Sequence, residues 1–315
     1  MIGFLVKRLA GLVATLLIAS FVVYASIYVA PGSPENVLFG SRPPPEATRR
    51  AVRHDLGLDQ PFLTRWAHWL DNVLHGNFGT SLISQQSVSA RIAHPTTITL
   101  ALVGYSAVIV VVLGIGLGLL SALRPGVVDV AVTAFTSLAT ALPAFVASSV
   151  AISIFAVRFK IFPAYGLEPG LVGWIRSLTL PALCLATISL GLLARTTRAV
   201  AKEQLASDVV QTARARGISN VRIVRSHVLR LSANSVVTIA GLQVAGLFAA
   251  AVVVENAFGL GGLGQLLISS VQQKDFPVVQ AISLLFVFAF VGLNTVADLV
   301  NAVLDPRLRS RAGAS

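Results

Sequence analysis

Several residue patterns in this chain have the types that chemistry uses, and their context decides against most of them. Gly259-Leu260-Gly261-Gly262-Leu263-Gly264 satisfies G-x-G-x-x-G, in which glycines let a backbone approach a pyrophosphate. That use requires a strand before the run and a helix opened by it, whereas here the run sits between two long apolar stretches, so it reads as a tight turn. His68 and His75 lie seven apart with no further ligand close in sequence, and Cys184 is the only cysteine, so no metal site and no disulfide is expected. Serines are numerous in apolar surroundings, but none has an evident base, and Glu255 and Asp298 fall on different stretches. That argues against an intramembrane protease or lipid transferase, which needs a paired nucleophile and base, a carboxylate dyad or a metal. No catalytic residue is assigned. The chain has no G-x-x-x-x-G-K-[ST], so no phosphate-cradling loop is expected in it.

The richest segment is the basic loop from Arg195 to Arg230. Asp208 and Gln211 have the spacing of a capping pair, Val209 to Arg216 allows two helical turns, and Gly217 supplies a C-terminal stop. A short basic helix of this kind also fits a connector held to a surface of anionic lipid.

Long elements must position that loop. Of 315 residues, 55% are hydrophobic and 12% charged, with a net charge of +11; the mean hydropathy is +0.80. Such a composition belongs to a membrane protein. Charge-free stretches lie between Arg8 and Glu35, Arg91 and Arg124, Asp129 and Arg158, Arg176 and Arg195, Arg230 and Glu255, and Asp275 and Asp298. Each is long enough to cross a bilayer core, the fourth with its arginines snorkelling, and all are read as helices because lipid leaves no partner for an open sheet edge. The first stretch outruns a signal-peptide core and lacks an Ala-x-Ala site, so it is read as a retained anchor. The expected fold is therefore an all-α membrane protein with six transmembrane helices.

Six crossings put both termini on one side. With the termini cytoplasmic, the inner segments carry 14 basic and four acidic residues and the outer segments 10 and seven, as the positive-inside rule demands. The basicity is thus a topology signal, and no nucleic-acid partner is expected. The large outer segment from Pro31 to Arg91 becomes amphipathic through Leu63, Trp66, Trp69, Leu70, Val73 and Leu74, which predicts a helix capping the outer helix ends. Gly114, Gly116 and Gly118 suggest close helix packing. Asp298 shares a predicted helix face with Asn294, Asn301 and Asp305, and Arg195 or Arg198 is its expected partner in an intramembrane ion pair. A secondary transporter would place coupling carboxylates near mid-membrane, and the sequence supplies none there.

The run Gln211-Thr212-Ala213-Arg214-Ala215-Arg216-Gly217 resembles the EAA loop of the permease subunits of binding-protein-dependent ABC importers, in the B-type class for dipeptides, oligopeptides and nickel. Ala30-Pro31-Gly32, Leu56-Gly57-Leu58-Asp59-Gln60-Pro61, Gly76-Asn77-Phe78-Gly79, His227-Val228-Leu229-Arg230, Val252-Val253-Val254-Glu255, Asp275-Phe276-Pro277-Val278-Val279-Gln280 and Asp305-Pro306-Arg307 are similar to runs of that family in order and spacing. The likeness covers nearly the whole chain, with a departure at Gln211, where the general pattern has Glu and the peptide class Arg. The resemblance implies a multi-pass inner-membrane permease with a first helix and extracytoplasmic segment in residues 1–94. Residues 95–309 would form a five-helix core, with a cytoplasmic coupling loop near 205–220. It implies a second homologous permease, most often different, two cytoplasmic ATPase subunits holding ATP and Mg, and an extracytoplasmic solute-binding protein. This chain itself would bind no cofactor. In that frame residues 211–217 dock in an ATPase groove, and Ala213 and Ala215 are small because a partner lies against them. Peptides are the default solute, with nickel complexes, glutathione and oligosaccharides carried by similar permeases.

Overall fold

The structure, a computed structural model, describes residues 2–29 and 60–304. The runs at 30–32 and 305–307, most of 56–61, and Asp305 of the predicted polar face lie outside the described residues. Among the described residues every regular element is helical, and the one β-bridge joins Thr80 to Ser87. The elements are α1 (Ile2–Val29), α2 (Phe62–Leu74), α3 (Val88–Leu123), α4 (Val127–Ala141), α5 (Ala144–Ala151, continued by a π-helical stretch Ile152–Arg158), α6 (Gly170–Leu205), α7 (Asp208–Ala215), α8 (Asn220–Ile223, joined by a π-helical turn Val224–Val228), α9 (Leu229–Phe258), α10 (Leu263–Gln272) and α11 (Phe276–Leu304).

Among the described residues five helices are long and apolar enough to cross a membrane: α1, α3, α6, α8 continued into α9, and α11. The stretch read as the third crossing is two helices bent by 104° rather than one continuous helix. The cause is local. Leu142 adopts extended backbone, as a residue before proline prefers, and Pro143 starts α5 where a missing N–H costs nothing. Counting that bent pair as one span gives six. Pro95 and Pro181 lie inside α3 and α6 without ending them.

Helix α6 is the hub. It packs on α3, α4, α5 and α9, and a run of its residues from Ser177 to Ala201 is buried. Small residues set the spacing: a Cβ at Gly118 would lie 2.6 Å from the Ala194 carbonyl and the Thr197 Cβ, and one at Gly114 would press on Leu193. Gly116 faces open space and plays no such part. On the opposite side of α6, Gly191 meets the Thr136 carbonyl and the Thr140 methyl of α4. The main core joins α3, α6 and α9 through residues such as Ile98, Leu102, Leu185, Leu193, Leu247 and Phe258.

At one end, α2 lies against α1. Phe21 meets Phe62 and Trp66 edge-on, and Tyr24 meets Phe62 and Trp69, so the predicted amphipathic helix uses its tryptophans for packing. Leu63 and Leu74, expected on the same face, are exposed. His75 turns to Asp71, and no group of three metal-binding side chains occurs among the described residues.

Candidate functional site

Helix α7 leaves the core between α6 and the α8–α9 segment. Ser207, in extended conformation, is its N-cap, and its carbonyl accepts from the N–H groups of Val210 and Gln211. The expected Asp208–Gln211 capping pair does not form: Asp208 is the first helical residue, where its charge suits the helix dipole, and the Gln211 amide donates to the Ala206 carbonyl at 3.1 Å. At the other end Arg216 is the C-cap and Gly217 takes φ +74°. The Gly217 N–H donates to Arg214 O at 2.9 Å and the Ile218 N–H to Ala213 O at 3.1 Å, the two bonds of a Schellman motif. Glycine suits this position for its backbone, since a Cβ would meet nothing within 4 Å.

Val210 and Ala213 form the inward face of α7, packed with Ala122, Ala201, Ile223 and Val228, and Ile218 closes the same cluster. Gln211, Thr212, Arg214, Ala215, Arg216 and Gly217 are exposed. The expectation that Ala213 is small to receive a partner is therefore corrected: its space is taken by this chain's own helices.

The predicted ion pair of Asp298 with Arg195 or Arg198 is also corrected. Asp298 pairs with Arg8, because α1, not α6, packs along α11. Arg198 faces α4, where its Nε and Nη2 donate to the Asp129 carboxylate at 2.6 and 2.8 Å. Lys202 Nζ adds a third bond at 2.7 Å and Ser121 of α3 a fourth. Arg195 bonds Thr140 of α4. The last turns of α6 are thus fastened to the start of α4 immediately before α7. On the predicted polar face of α11, Asn301 donates to Thr238 of α9 at 2.8 Å, while Asn294 bonds back to its own helix.

Two buried carboxylates to which sequence reasoning gave no role lie at the opposite end. Glu255, fully buried, accepts from Thr99 at 2.6 Å and from the N–H groups of Gly264 at 2.7 Å and Gln265 at 3.3 Å. The Leu263 N–H donates to Thr99 Oγ1 at 2.8 Å, so the free amides at the start of α10 are held by α9 and α3 together. The Gly259–Gly264 run is explained by this grip. Gly259 caps α9 in left-handed conformation, and a side chain at Gly262 or Gly264 would collide with the Glu255 carboxylate. Asp275, equally buried, accepts from Ser81 Oγ at 2.5 Å and from the Leu82 N–H at 3.1 Å, with Arg91 Nη1 at 3.7 Å. The signal available in sequence was an acid at a span end beside a glycine run, in a chain with only 13 acids.

Comparison with known proteins identifies this architecture. Residues 114–310 match the family of binding-protein-dependent transport system inner membrane components, and residues 1–102 match its N-terminal family. A putative peptide transport system permease protein of Brucella abortus (strain 2308) is 36% identical over 315 residues, covering 98% of this chain and 99% of that one. The glutathione transport system permease protein GsiC of Salmonella choleraesuis (strain SC-B67) is 36% identical over 319 residues, at the same coverage. The solved MetNI methionine ABC transporter, in an inward-facing conformation, shares the fold with a TM-score of 0.55 at 19% identity, over 68% of this chain and 96% of that chain. The chain belongs to the family of binding-protein-dependent transport system inner membrane components. It is a multi-pass membrane permease subunit of an ABC importer, working with ATPase and solute-binding partners, and is not itself an enzyme.

Proposed function

We propose that this chain forms half of the translocation path of an importer for di- or oligopeptides, opposite a second, different permease subunit. The relatives named for peptides and for glutathione, itself a tripeptide, support that solute class. Both termini and α7 lie on the cytoplasmic side, a reading supported by the excess of basic residues in the segments that would then face inward. Residues 1–94 are a first span and extracytoplasmic cap, and residues 95–309 the translocation core with the coupling loop near 205–220. ATP and Mg stay on the partner ATPases.

Residues Gln211 to Gly217 pass the ATPase movement to the spans. The observation carrying this is that α7 is bolted to the core by one face, Val210 and Ala213, and stopped by a Schellman turn, while its other face is bare. A rigid lever with a free surface can move with a docked groove, and the Asp129–Arg198–Lys202 cluster ties that lever to the bent pair α4–α5. In liposomes carrying the full importer, labelled di- and tripeptides should accumulate only with ATP enclosed in the lumen and the binding protein outside. Accumulation of nickel complexes or oligosaccharides in place of peptides would reject the solute class, and uptake without ATP would reject the mechanism.

A further inference from the structure

A cleft of about 1130 Å³ opens beside α7, between the end of α3, the end of α6 and the segment α8. Three arginines from three different elements line it: Arg124 at the end of α3, Arg214 on α7 and Arg225 after α8. No Asp or Glu lines the cleft, and none of the three guanidinium groups makes an ion pair among the described residues. Exposed apolar side chains complete the wall, notably Leu123, Val221 and Leu229.

Apolar walls beneath unpaired guanidinium groups fit an amphiphile with an anionic head. The level agrees, because the cleft takes in the last residues of α3 and α6 together with α8 and the first residue of α9, at the ends of the candidate spans. Arginines at that level keep their heads at the headgroup region and bond phosphate oxygens in pairs. We infer that this cleft is a binding site for one anionic phospholipid, its phosphate held by Arg124, Arg214 and Arg225 and its chains lying along Leu123 and Leu229. Of α7 only Arg214 lines the cleft, so the bare face with Thr212 and Ala215 remains open to an ATPase. The lipid sits behind the lever and fixes its height against the spans. The inference rests on the cytoplasmic position of α7 proposed above.

The test uses the detergent-purified importer and a fluorescent phosphatidylglycerol, with phosphatidylcholine and inorganic phosphate as competitors. Wild type should hold one more phosphatidylglycerol per copy of this chain than the Arg124→Gln/Arg225→Gln variant, whose site should bind about thirtyfold more weakly, five- to sixfold per arginine. Neither competitor should displace the wild-type lipid, and the variant should still pull down the ATPases. Equal binding by the two proteins overturns the inference, as does displacement by inorganic phosphate, which would mark a site for a soluble anion. Loss of the ATPases with lipid binding unchanged also overturns it, making the arginines a protein contact. Gly217→Val separates the two readings: if it keeps the ATPases while the arginine pair still governs lipid binding, the coupling role fails and the lipid site stands.

Discussion

Acidic side chains are scarce in this chain, and those that are buried act as fasteners because each has several donors aimed at it. Glu255 joins α9, α3 and the amino end of α10, so removing its carboxylate would strand the Thr99 hydroxyl and two backbone amides in a dry site. Glu255→Ala should destabilise this end by about 3 kcal/mol and speed hydrogen exchange at the Gly264 and Gln265 amides, with α7 unaffected. Unchanged exchange there would show that α10 is held by other means. The Arg8–Asp298 pair fastens α1 to α11, with both side chains partly exposed. Asp298→Asn should lower the yield of assembled importer on gel filtration, and Arg8→Gln should restore part of it. Rescue by Arg195→Gln or Arg198→Gln instead would contradict the pairing. The need for a partner was legible at Asp298, since an ionised group in a span demands one. The identity of the partner was not, because Arg8 and Asp298 are separated by almost the whole chain and only the packing of α1 on α11 brings them together.

At the scale of elements, hydrophobic runs bounded by charges announced the long helices, and Gly217 announced the end of α7, because both are local signals. The break at Pro143 was legible in principle, but the uncharged run continues through it, so length alone read as one helix. Ala213 misled for the converse reason: a small residue on a helix marks close contact without saying whose surface is close. Gly217 is the sharper probe of α7. Its φ of +74° is strained for a β-branched residue by about 1–3 kcal/mol, while space around it is open. Gly217→Val should therefore insert into the membrane normally yet lose ATPase pull-down or solute-stimulated hydrolysis. Gly217→Asn, which tolerates left-handed backbone, should keep most of both. Equal behaviour of the Val and Asn variants would remove the backbone argument for this glycine.

For the whole molecule, the proposed orientation rests on adding the loops. Arg124, Arg195, Arg198, Lys202, Arg214, Arg216, Arg222, Arg225 and Arg230 gather at the end that carries α7, where Asp129, Glu203 and Asp208 offer little compensation. The cost of moving such a cluster across the membrane supports the proposal that this end is inside. In that orientation the loop between Arg158 and Arg176 runs against the rule, being basic on the outer side. Part of its charge is offset locally, since Arg176 lies 3.8 Å from Glu168 and donates to the Ile161 carbonyl. In the proposed orientation the opposite end, with Glu255, Asp275 and the Thr80–Ser87 turn, faces outward. Single cysteines at Gln86 and Ser219, both exposed, test the assignment in a Cys184→Ser background, where the buried native thiol is gone. In sealed cells an impermeant maleimide should label Gln86→Cys and spare Ser219→Cys until the membrane is opened. Labelling of the Ser219 probe in intact cells would invert the molecule and place α7 on the side where no ATPase can reach it.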